Sequence, residues 1–221
     1  MIIITGASDG LGLQLAKLYK QEGKKVVNIS RRESEFADVN IKCDLTDAKQ
    51  IATAVSVLLE IDERIDVLVN SAAIIRQKTL GETTLEDINA VFDTNVRSQM
   101  LLIAGMYDRI VNDETDIVNV SSTTGTKGRK MESIYGTSKW AVRGYTMNLQ
   151  AEFAELPNRI ISFCPGGYKT RFFEKGTGID NTEDGSQWMK VEDMARFMKQ
   201  ILDLPKNMEV SEVIVNRKAL K

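Results

Sequence analysis

The chain has no histidine among its 221 residues, and it has only two cysteines and three prolines. The missing histidine excludes the Ser-His-Asp and Cys-His catalytic arrangements and every histidine-ligated metal site. Cys43 and Cys164 stand outside any metal-ligand or redox spacing, so we interpret them as packing residues or chance occurrences. Any proton transfer must therefore use Tyr, Lys, Asp, Glu or Cys side chains, and we expect no metal.

Net charge is close to balance, at −2 from 29 basic and 31 acidic residues. This balance gives no electrostatic reason to expect a nucleic acid or an anionic membrane as partner. No apolar run approaches the ~18 residues of a membrane span, and Met1–Ile4 already has the pattern of a buried strand with no signal peptide before it. We therefore expect a cytoplasmic protein with a small-molecule substrate, folded as a single domain over residues 1–221.

Apolar runs of strand length alternate with helix-period segments along most of the chain. The predicted strands are Ile2–Ile4, Val26–Ile29, Val39–Cys43, Val67–Val69, Ile117–Val120, Ile160–Phe163 and Val213–Val215. The predicted helices are Leu11–Glu22, Ala48–Glu60, Leu85–Val111, Ser133–Leu156 and Val191–Leu204. Continuous apolar runs indicate strands covered on both faces. The alternation predicts an α/β fold, a Rossmann-like doubly wound parallel sheet of about seven strands with helices on both faces.

One stretch, Gly166–Gln187, interrupts this alternation and is rich in Gly, Asp, Thr and Asn. It is too long for an ordinary connection, which makes it either a functional lid or a disordered segment. Tyr168, Phe172 and Phe173 favour a lid with something apolar to cover. We predict a substrate lid at about residues 168–190.

The segment Tyr135-Gly-Thr-Ser-Lys139 places a phenol and an ammonium one helical turn apart. Residues i and i+4 share a helix face, and a lysine beside a tyrosine favours the phenolate. At an effective dielectric of ~20, unit charges ~4 Å apart interact by about 4 kcal/mol, which would lower the tyrosine pKa by about three units. We therefore predict that Tyr135 gives or takes a proton near neutral pH; the alternative is a solvated helix face.

A glycine-rich turn, Thr5-Gly6-Ala-Ser-Asp-Gly10-Leu-Gly12, follows the first strand and opens the first helix. Glycines there let the backbone approach a pyrophosphate, which the helix N-terminus stabilises. The spacing differs from the G-x-G-x-x-G fingerprint, and the alternative is a tight turn that binds nothing. The position directly after the first strand favours phosphate binding.

Together these two motifs resemble the compact branch of the short-chain dehydrogenase/reductase family, over Met1 to about Thr170. Further landmarks of that family stand in order. They are Asp44 after the third strand, Asn70-Ser-Ala-Ala73 after the fourth, Asn95 before the fifth, Ser122 thirteen residues before Tyr135, and Pro165-Gly166 and Thr170 after the sixth. The family usually has Asn-Ala-Gly after the fourth strand, so its glycine is missing here.

The resemblance implies a catalytic set of Asn95, Ser122, Tyr135 and Lys139. Tyr135 would be the general acid in carbonyl reduction and the base in alcohol oxidation. Lys139 would lower the pKa of Tyr135 and hold the nicotinamide ribose, and Ser122 would polarise the substrate carbonyl. Asn95 would hold a water that links Lys139 to solvent, in a bent helix. The alternative for Ser122 and Asn95 is a capping or turn role.

The resemblance also implies a shell of dinucleotide-binding residues. Its members are Gly6, Ser8, Asp9, Gly10, Leu11, Gly12, Arg31, Arg32, Asp44, Leu45, Asn70, Ser71, Ala72, Tyr135, Lys139, Pro165, Gly166 and Thr170. In this shell Asp44 would contact the adenine and Thr170 the nicotinamide carboxamide.

Arg31 and Arg32 close the second strand, where the adenosine ribose would lie, and arginine there suits a 2′-phosphate. We therefore expect NADP(H) rather than NAD(H) as cofactor. Asp9 opposes this preference, because many NADP-preferring relatives have a basic residue inside the glycine turn. A solvated surface pair is the alternative interpretation of the two arginines.

These observations predict an NADP(H)-preferring oxidoreductase that interconverts a carbonyl and an alcohol. One alternative is a regulatory protein that binds the dinucleotide without turnover, since fold does not imply function. Another is an epimerase or dehydratase of the family's extended branch, but 221 residues leave no room for the extra substrate domain of that branch.

Relatives in this family dimerise by packing helices equivalent to residues 97–111 and 138–156, so we expect a homodimer. The second of these helices has a stripe of small or apolar residues that includes Trp140, Gly144 and Met147. A buried face of an ordinary core helix explains that stripe nearly as well. The last strand lacks the family's usual Asp-Gly turn, which puts a tetramer in doubt.

Overall fold

The computed structural model of the chain describes residues 1–178 and 188–218. Within them, seven parallel strands form one sheet in the order β3-β2-β1-β4-β5-β6-β7. The strands are β1 Ile2–Thr5, β2 Val26–Ser30, β3 Val39–Lys42, β4 Val67–Asn70, β5 Asp116–Val120, β6 Ile160–Pro165 and β7 Glu212–Val215. The helices are α1 Gly10–Gln21, α2 Ala48–Leu59, α3 Leu85–Phe92, α4 Ser98–Gly105, α5 Tyr107–Asn112, α6 Ser133–Glu152, α7 Arg171–Thr177 and α8 Val191–Leu202. The predicted α/β fold, a doubly wound parallel sheet, is confirmed.

Alternate residues of the strands point to opposite faces of the sheet, and each face has its own apolar cluster. Ile3 packs in a buried cluster with Leu102 of α4, on the face that α2 and α6 also cover. Ile4 packs on the other face with Leu15 of α1 and Met198 of α8. Burying one such side chain contributes roughly 1.5–3 kcal/mol, and this two-sided burial explains the continuous apolar runs of β1, β2, β4, β5 and β6.

The strand order reverses between β1 and β4, because β2 and β3 lie on one side of β1 and β4 to β7 on the other. In an open parallel sheet the crevice for a ligand lies at such a reversal, outside the carboxyl ends of the strands. The glycine-rich turn after β1 and the segment after β4 both begin at this point. The fold therefore brings the predicted motifs together at one edge of the sheet.

The two edge strands depart from the predicted burial. Residues of β3 alternate between half-buried and exposed, and β7 is half-buried along most of its length. Each lies at an edge of the sheet, with a neighbouring strand on one side only. The expectation of cover on both faces is wrong for them.

The predicted helix Leu85–Val111 is not continuous. A π-helical turn, Asp93–Arg97, separates α3 from α4, and Met106 leaves the helical conformation, with φ −110° and ψ 9°, before α5 begins. Gly105, just before that break, packs so closely on α2 that an added Cβ would lie 3.1 Å from the side chain of Val55. The second break thus lies where the helix packs most closely on α2.

The apolar stripe of α6 faces outward. Trp140 is 46% and Met147 is 55% exposed, and a Cβ added at Gly144, between them, would meet nothing within 4 Å. Val142 and Leu149 form the buried face of the helix instead. The interpretation of the stripe as a core face is therefore wrong.

None of the helices in the described part of the chain is long and apolar enough to cross a membrane.

Candidate active site

A cavity of about 750 Å³ opens at the carboxyl edge of the sheet. Its wall is built from the glycine-rich turn, the ends of β2, β4, β5 and β6, the start of α6, and α7. Every residue predicted for the site lines this cavity except Asn70 and Asn95. Residues from Gly6 to Trp188, distant in sequence, thus meet around one space.

In the glycine-rich turn the backbone adopts conformations and contacts that only glycine allows. Gly6 and Gly10 have φ values of +75° and +54°, a backbone region that residues other than glycine rarely adopt. A Cβ added at Gly12 would lie 2.6 Å from the carbonyl oxygen of Gly6 and 2.8 Å from Ser71 Oγ. Asp9 caps α1, since its Oδ1 accepts from the backbone N–H of Gly10 at 2.8 Å.

Ser122, Tyr135 and Lys139 come from two elements packed against each other. Ser122 follows β5 and caps a short 3₁₀ turn, accepting from the N–H of Thr124 at 3.2 Å. Tyr135 and Lys139 lie one turn apart on α6, and Ser121 Oγ donates to the carbonyl of Lys139 at 2.8 Å. The three side chains line the same cavity. Ser122 therefore has both the capping role that was its alternative and a place in the cavity wall.

Lys139 and Tyr135 do not interact as predicted. Lys139 Nζ donates to the carbonyl oxygen of Val120 at 2.8 Å and lies 5.7 Å from the centroid of the Tyr135 ring. Both residues are buried, with 8% of Tyr135 and 2% of Lys139 exposed. Burial disfavours the charged form of either group. The ammonium is therefore directed at a backbone carbonyl, in a place where its own charge is disfavoured.

The predicted lowering of the Tyr135 pKa is accordingly wrong in this structure. Burial is the largest effect and raises the pKa of Tyr135 above its ordinary value; Tyr168 adds to this, and a hydrogen bond with Ser122 opposes it. Burial also lowers the pKa of Lys139 to about 8. The spacing of the two residues indicates the attraction between their charges, but desolvation has the larger effect on Tyr135 here.

Asn95 lies behind the cavity wall, in the π-helical turn. Its Oδ1 accepts from the N–H of Ile74 at 2.8 Å, and its Nδ2 donates to the Ile74 carbonyl at 2.9 Å and to Ser138 Oγ at 3.0 Å. Its carbonyl accepts a short hydrogen bond from the side chain of Gln99. A π-helical turn interrupts the helix here, and the side chain fixes the segment after β4 to α6 and does not line the cavity.

Asn70 also points away from the cavity. Its Nδ2 donates to Asn119 Oδ1 at 2.9 Å, and Asn119 donates in turn to Thr146 Oγ1 at 3.1 Å. These buried bonds join β4, β5 and α6 under the site. Asn70 therefore does not line the cavity, and its predicted contact with a dinucleotide stays a prediction.

A cluster of opposite charges sits beside the glycine-rich turn. Arg32 Nη2 lies 3.1 Å from Asp9 Oδ2, and Lys175 of α7 makes a short ion pair with the same carboxylate. Burial raises the pKa of Asp9, but the hydrogen bonds from Lys175 and Arg32 outweigh it and hold the pKa below its ordinary value. Arg31 is exposed at the cavity rim. One carboxylate thus holds two cations at the predicted cofactor shell.

Asp44 lines the cavity but uses its carboxylate locally. Its Oδ1 accepts from the N–H of Thr46 at 3.0 Å and from Thr46 Oγ1 at 2.9 Å. This is the hydrogen-bond pattern of an Asx turn. The turn fixes the loop between β3 and α2 against the cavity.

The segment after β6 forms one wall of the cavity. Thr170 caps α7, and the ring centroid of Phe172 lies 6.0 Å from that of Tyr135. The ring centroids of Phe173 and Trp188 are 5.5 Å apart. The predicted lid, residues 168–190, falls partly on 179–187, which lie outside the described residues.

Several cavity residues were not predicted from the sequence, among them Lys175, Glu132 and Thr124. The mixed charges after Gly166 contain Lys175, but nothing in the sequence places it on Asp9. Glu132 and Thr124 lie between Ser122 and Tyr135 in the chain, and their proximity to those two residues is the signal that was available.

Comparisons with known proteins identify the family and the fold of the chain. The family model for short chain dehydrogenase matches residues 1–178. An uncharacterised oxidoreductase of Staphylococcus saprophyticus is 28% identical over 96% of this chain and 95% of its own length.

Solved structures share the fold along nearly the whole chain. A short-chain dehydrogenase from Sphingobium yanoikuyae in complex with NADPH has a TM-score of 0.82 and 25% identity, covering 96% of this chain and 86% of its own. A 4-hydroxyisoleucine dehydrogenase complexed with NADH and succinate has a TM-score of 0.82 and 20% identity, covering 98% of each chain. The fold thus occurs with either nicotinamide cofactor.

Proposed function

The chain belongs to the short-chain dehydrogenase family of oxidoreductases, and we propose that it is an NADP(H)-preferring enzyme that interconverts a carbonyl and an alcohol. One observation carries the proposal: Ser122, Tyr135 and Lys139 line the same cavity as the glycine-rich turn. A proton donor and a phosphate-binding turn in one space are what hydride transfer with proton transfer requires.

The cavity fits a nicotinamide dinucleotide. Its volume is about 750 Å³, and the glycine-rich turn and the start of α1, where a helix N-terminus favours phosphate, both lie in its wall. In the proposal this turn holds the pyrophosphate, Arg31 and Arg32 the adenosine end, and Lys139 the nicotinamide ribose. When bound, the nicotinamide supplies or accepts the hydride.

Tyr135 is the general acid in this mechanism. Its burial keeps the phenol protonated at neutral pH, so the group holds the proton that a substrate oxygen needs when a carbonyl becomes an alcohol. Ser122 Oγ donates a hydrogen bond to that oxygen and orients it toward Tyr135. Phe172, whose ring packs on Tyr135, helps to exclude water from the site.

The preference for NADP(H) rests on the basic residues around the glycine-rich turn. Arg31 is exposed at the rim, and Arg32 and Lys175 are held nearby by Asp9. A guanidinium binds a 2′-phosphate through charge-assisted hydrogen bonds, which are often bidentate. In the proposal Arg31 contacts the 2′-phosphate directly. Arg32 and Lys175 give up their ion pairs with Asp9 and bind phosphate oxygens in their place.

The segment at 168–190 is proposed as a substrate lid, and the protein as a homodimer. For the lid, the support is α7, which covers Tyr135 with Phe172 and reaches the glycine-rich turn through Lys175. For the dimer, the support is the outward stripe of α6 at Trp140 and Met147. An exposed tryptophan beside a glycine is the type of surface on which helices of two subunits pack closely.

The experiment that tests the function is NADPH oxidation measured against a panel of ketones and aldehydes, with the reverse reaction measured on the matching alcohols. Turnover of at least one pair, faster with NADPH than with NADH, is the expected result. Binding of NADPH without turnover of any pair would favour the regulatory protein that keeps the fold without catalysis.

A further inference from the structure

The wall of the cavity between Ser122 and Tyr135 contains two buried polar atoms that have no partner. Seven side chains in the described ranges hold a buried nitrogen or oxygen atom without a hydrogen bond. Of these seven, Thr124 and Glu132 line the cavity, and the other five do not. Unsatisfied buried polar atoms destabilise a protein, so two of them in the wall of one site indicate that a ligand completes the site.

Glu132 is the charged member of this pair. It is 9% exposed and stands directly before α6, yet its carboxylate accepts no hydrogen bond from the start of that helix. Its own carbonyl accepts from the N–H of Gly136 at 2.6 Å, which fixes the residue one turn before Tyr135. Glu132 therefore does not cap α6 with its side chain, which is the usual structural role of an acidic residue at the start of a helix.

The neighbouring cation does not neutralise Glu132. Arg129 is exposed, and its Nη2 donates to Thr123 Oγ1 at 3.3 Å. Its charge lowers the pKa of Glu132, but burial acts more strongly and raises it. No salt bridge to Glu132 is found among the described residues. A buried carboxylate without a cation is unfavourable, and an opposite charge removes both the electrostatic cost and the unsatisfied acceptor.

We propose that Glu132 binds a cationic amino group of the substrate, so that the enzyme acts on amino alcohols and the corresponding amino carbonyl compounds. This inference rests on the proposed function, which supplies the carbonyl-alcohol chemistry at Tyr135. A substrate hydroxyl group would donate the missing hydrogen bond to Glu132 but would leave its buried charge without a counterion. An ammonium group both donates the hydrogen bond and neutralises the charge. Thr124 Oγ1, the second unsatisfied atom of the same wall, accepts another N–H of that group.

The test compares matched substrates. Amino alcohols with the amine one or two carbons from the hydroxyl, such as 3-amino-2-butanol, are measured against their desamino analogues, here 2-butanol, with NADP⁺. We expect a kcat/KM ratio of ten to a hundred in favour of an amine, equivalent to about 1.4–2.8 kcal/mol at ~1.4 kcal/mol per decade. In Glu132→Gln the ratio should fall to near one. The exposed Glu155→Gln is the matched control and should keep the wild-type ratio.

A second variant and a second measurement separate the outcomes. Thr124→Val should lower the ratio by a smaller factor, which keeps the test available if Glu132→Gln fails to fold. A wild-type ratio near one, or a ratio that survives Glu132→Gln, would overturn the inference and leave the proposed function intact. Absence of all turnover would instead overturn the proposed function. Calorimetric titration of the NADP⁺-loaded Tyr135→Phe protein, in which turnover is removed, with the same pairs then decides the role of Glu132, since tighter binding of the amine must be lost when Glu132→Gln is added.

Discussion

Arg32 lies 3.1 Å from Asp9, which also caps α1 and pairs with Lys175 of α7. One carboxylate therefore joins two parts of the predicted cofactor shell, the glycine-rich turn and the end of β2, to α7, which was not predicted to belong to it. Arg31, the neighbour of Arg32, is exposed at the rim of the same cavity. In the proposed NADP(H) complex, Arg31 is therefore the arginine that can contact the 2′-phosphate without first leaving Asp9.

Cofactor choice is the first prediction. A charge-assisted hydrogen bond contributes roughly 1.5–3 kcal/mol, so NADPH should bind about ten- to a hundredfold more tightly than NADH. Arg31→Ala should bring the two dissociation constants within a few-fold of each other, chiefly by weakening NADPH. Fluorescence or calorimetric titration of both cofactors measures this.

Arg32→Ala is the comparison variant for this prediction. We expect a smaller loss of NADPH affinity from it, because the guanidinium of Arg32 must exchange Asp9 for the phosphate. Equal affinities of the wild-type protein for the two cofactors, or a ratio that survives Arg31→Ala, would mean that Arg31 is only a solvated surface residue.

Proton transfer by Tyr135 is the second prediction. Tyr135→Phe removes the hydroxyl and keeps the ring that packs on Phe172. Turnover should fall to less than about a tenth of wild type, since general acid catalysis contributes about 10²–10⁴-fold. NADPH binding should stay nearly intact. Steady-state kinetics and a cofactor titration on the same preparation measure both, and retained turnover would remove Tyr135 from the mechanism.

The pH dependence of stability follows from Lys139, whose pKa burial lowers from 10.5 to about 8. Between these two values the unfolded chain keeps a proton that the folded protein has lost. The free energy of unfolding of the wild type, relative to Lys139→Met, should therefore rise with pH by about 1.36 kcal/mol per unit in this window. Below pH 8 the difference should be constant.

Urea denaturation of both proteins at pH 7, 8.5 and 10 measures that difference. Lys139→Met is the appropriate partner because it keeps a long side chain in the buried position and titrates nowhere. Ionisable groups that do not interact with Lys139 contribute equally to both proteins and cancel, and Cys164, whose charge does interact with Lys139, is replaced by Ala in both proteins. A difference that is flat from pH 7 to 10 would mean that Lys139 titrates at its ordinary pKa despite its burial.

The sequence predicts the fold well, and all but two of the residues it selects for the site line one cavity, because these predictions follow from patterns that are local in the chain. Strand-length apolar runs predict the parallel sheet. The thirteen-residue interval between Ser122 and Tyr135 predicts that the two residues belong to one site, and both line the cavity. What the sequence does not predict is the direction of a side chain once it is buried. Asn70 bonds to Asn119 and not to the cavity, which depends on neighbours from another strand.

The electrostatics could not be read from the sequence for a related reason. The spacing of Tyr135 and Lys139 gives their separation along a helix, but not their desolvation or the Val120 carbonyl that accepts from the lysine. The pair of Lys175 with Asp9 depends on how α7 folds back over the glycine-rich turn. Both features arise from packing between distant segments, and local patterns do not encode them.

Dimerisation through α6 is the fourth prediction. Trp140→Glu places a charge on a side chain that is 46% exposed, so the folded subunit should tolerate it while the interface should not. Buried tryptophans at interfaces commonly contribute 2 kcal/mol or more each. Light scattering after size exclusion should give a dimer for wild type and a monomer for the variant. Leu80→Glu, at a side chain 78% exposed in another part of the fold, should stay dimeric. An unchanged mass for Trp140→Glu would exclude this face.

The last prediction concerns the contact of α7 with the segment after β4. A Cβ added at Gly176 would lie 2.6 Å from the carbonyl oxygen of Ile75 and would also meet the Ile75 side chain. Alanine favours a helix over glycine by up to ~1 kcal/mol, but overpacking costs about 1–3 kcal/mol, so the clash should win. Gly176→Ala should therefore displace α7, with Phe172 leaving Tyr135 and Lys175 leaving Asp9.

The displacement should be measurable in two ways. Hydrogen exchange in residues 169–178 should be faster in Gly176→Ala than in wild type, and kcat/KM should fall about tenfold or more because the site loses its cover. Gly81→Ala is the control, since a Cβ there would meet nothing within 4 Å. If α7 is a lid, wild-type exchange in this segment should also slow when cofactor and substrate are bound. Normal exchange and activity in Gly176→Ala would mean that α7 shifts without consequence, and that the cover over Tyr135 does not govern access to the site.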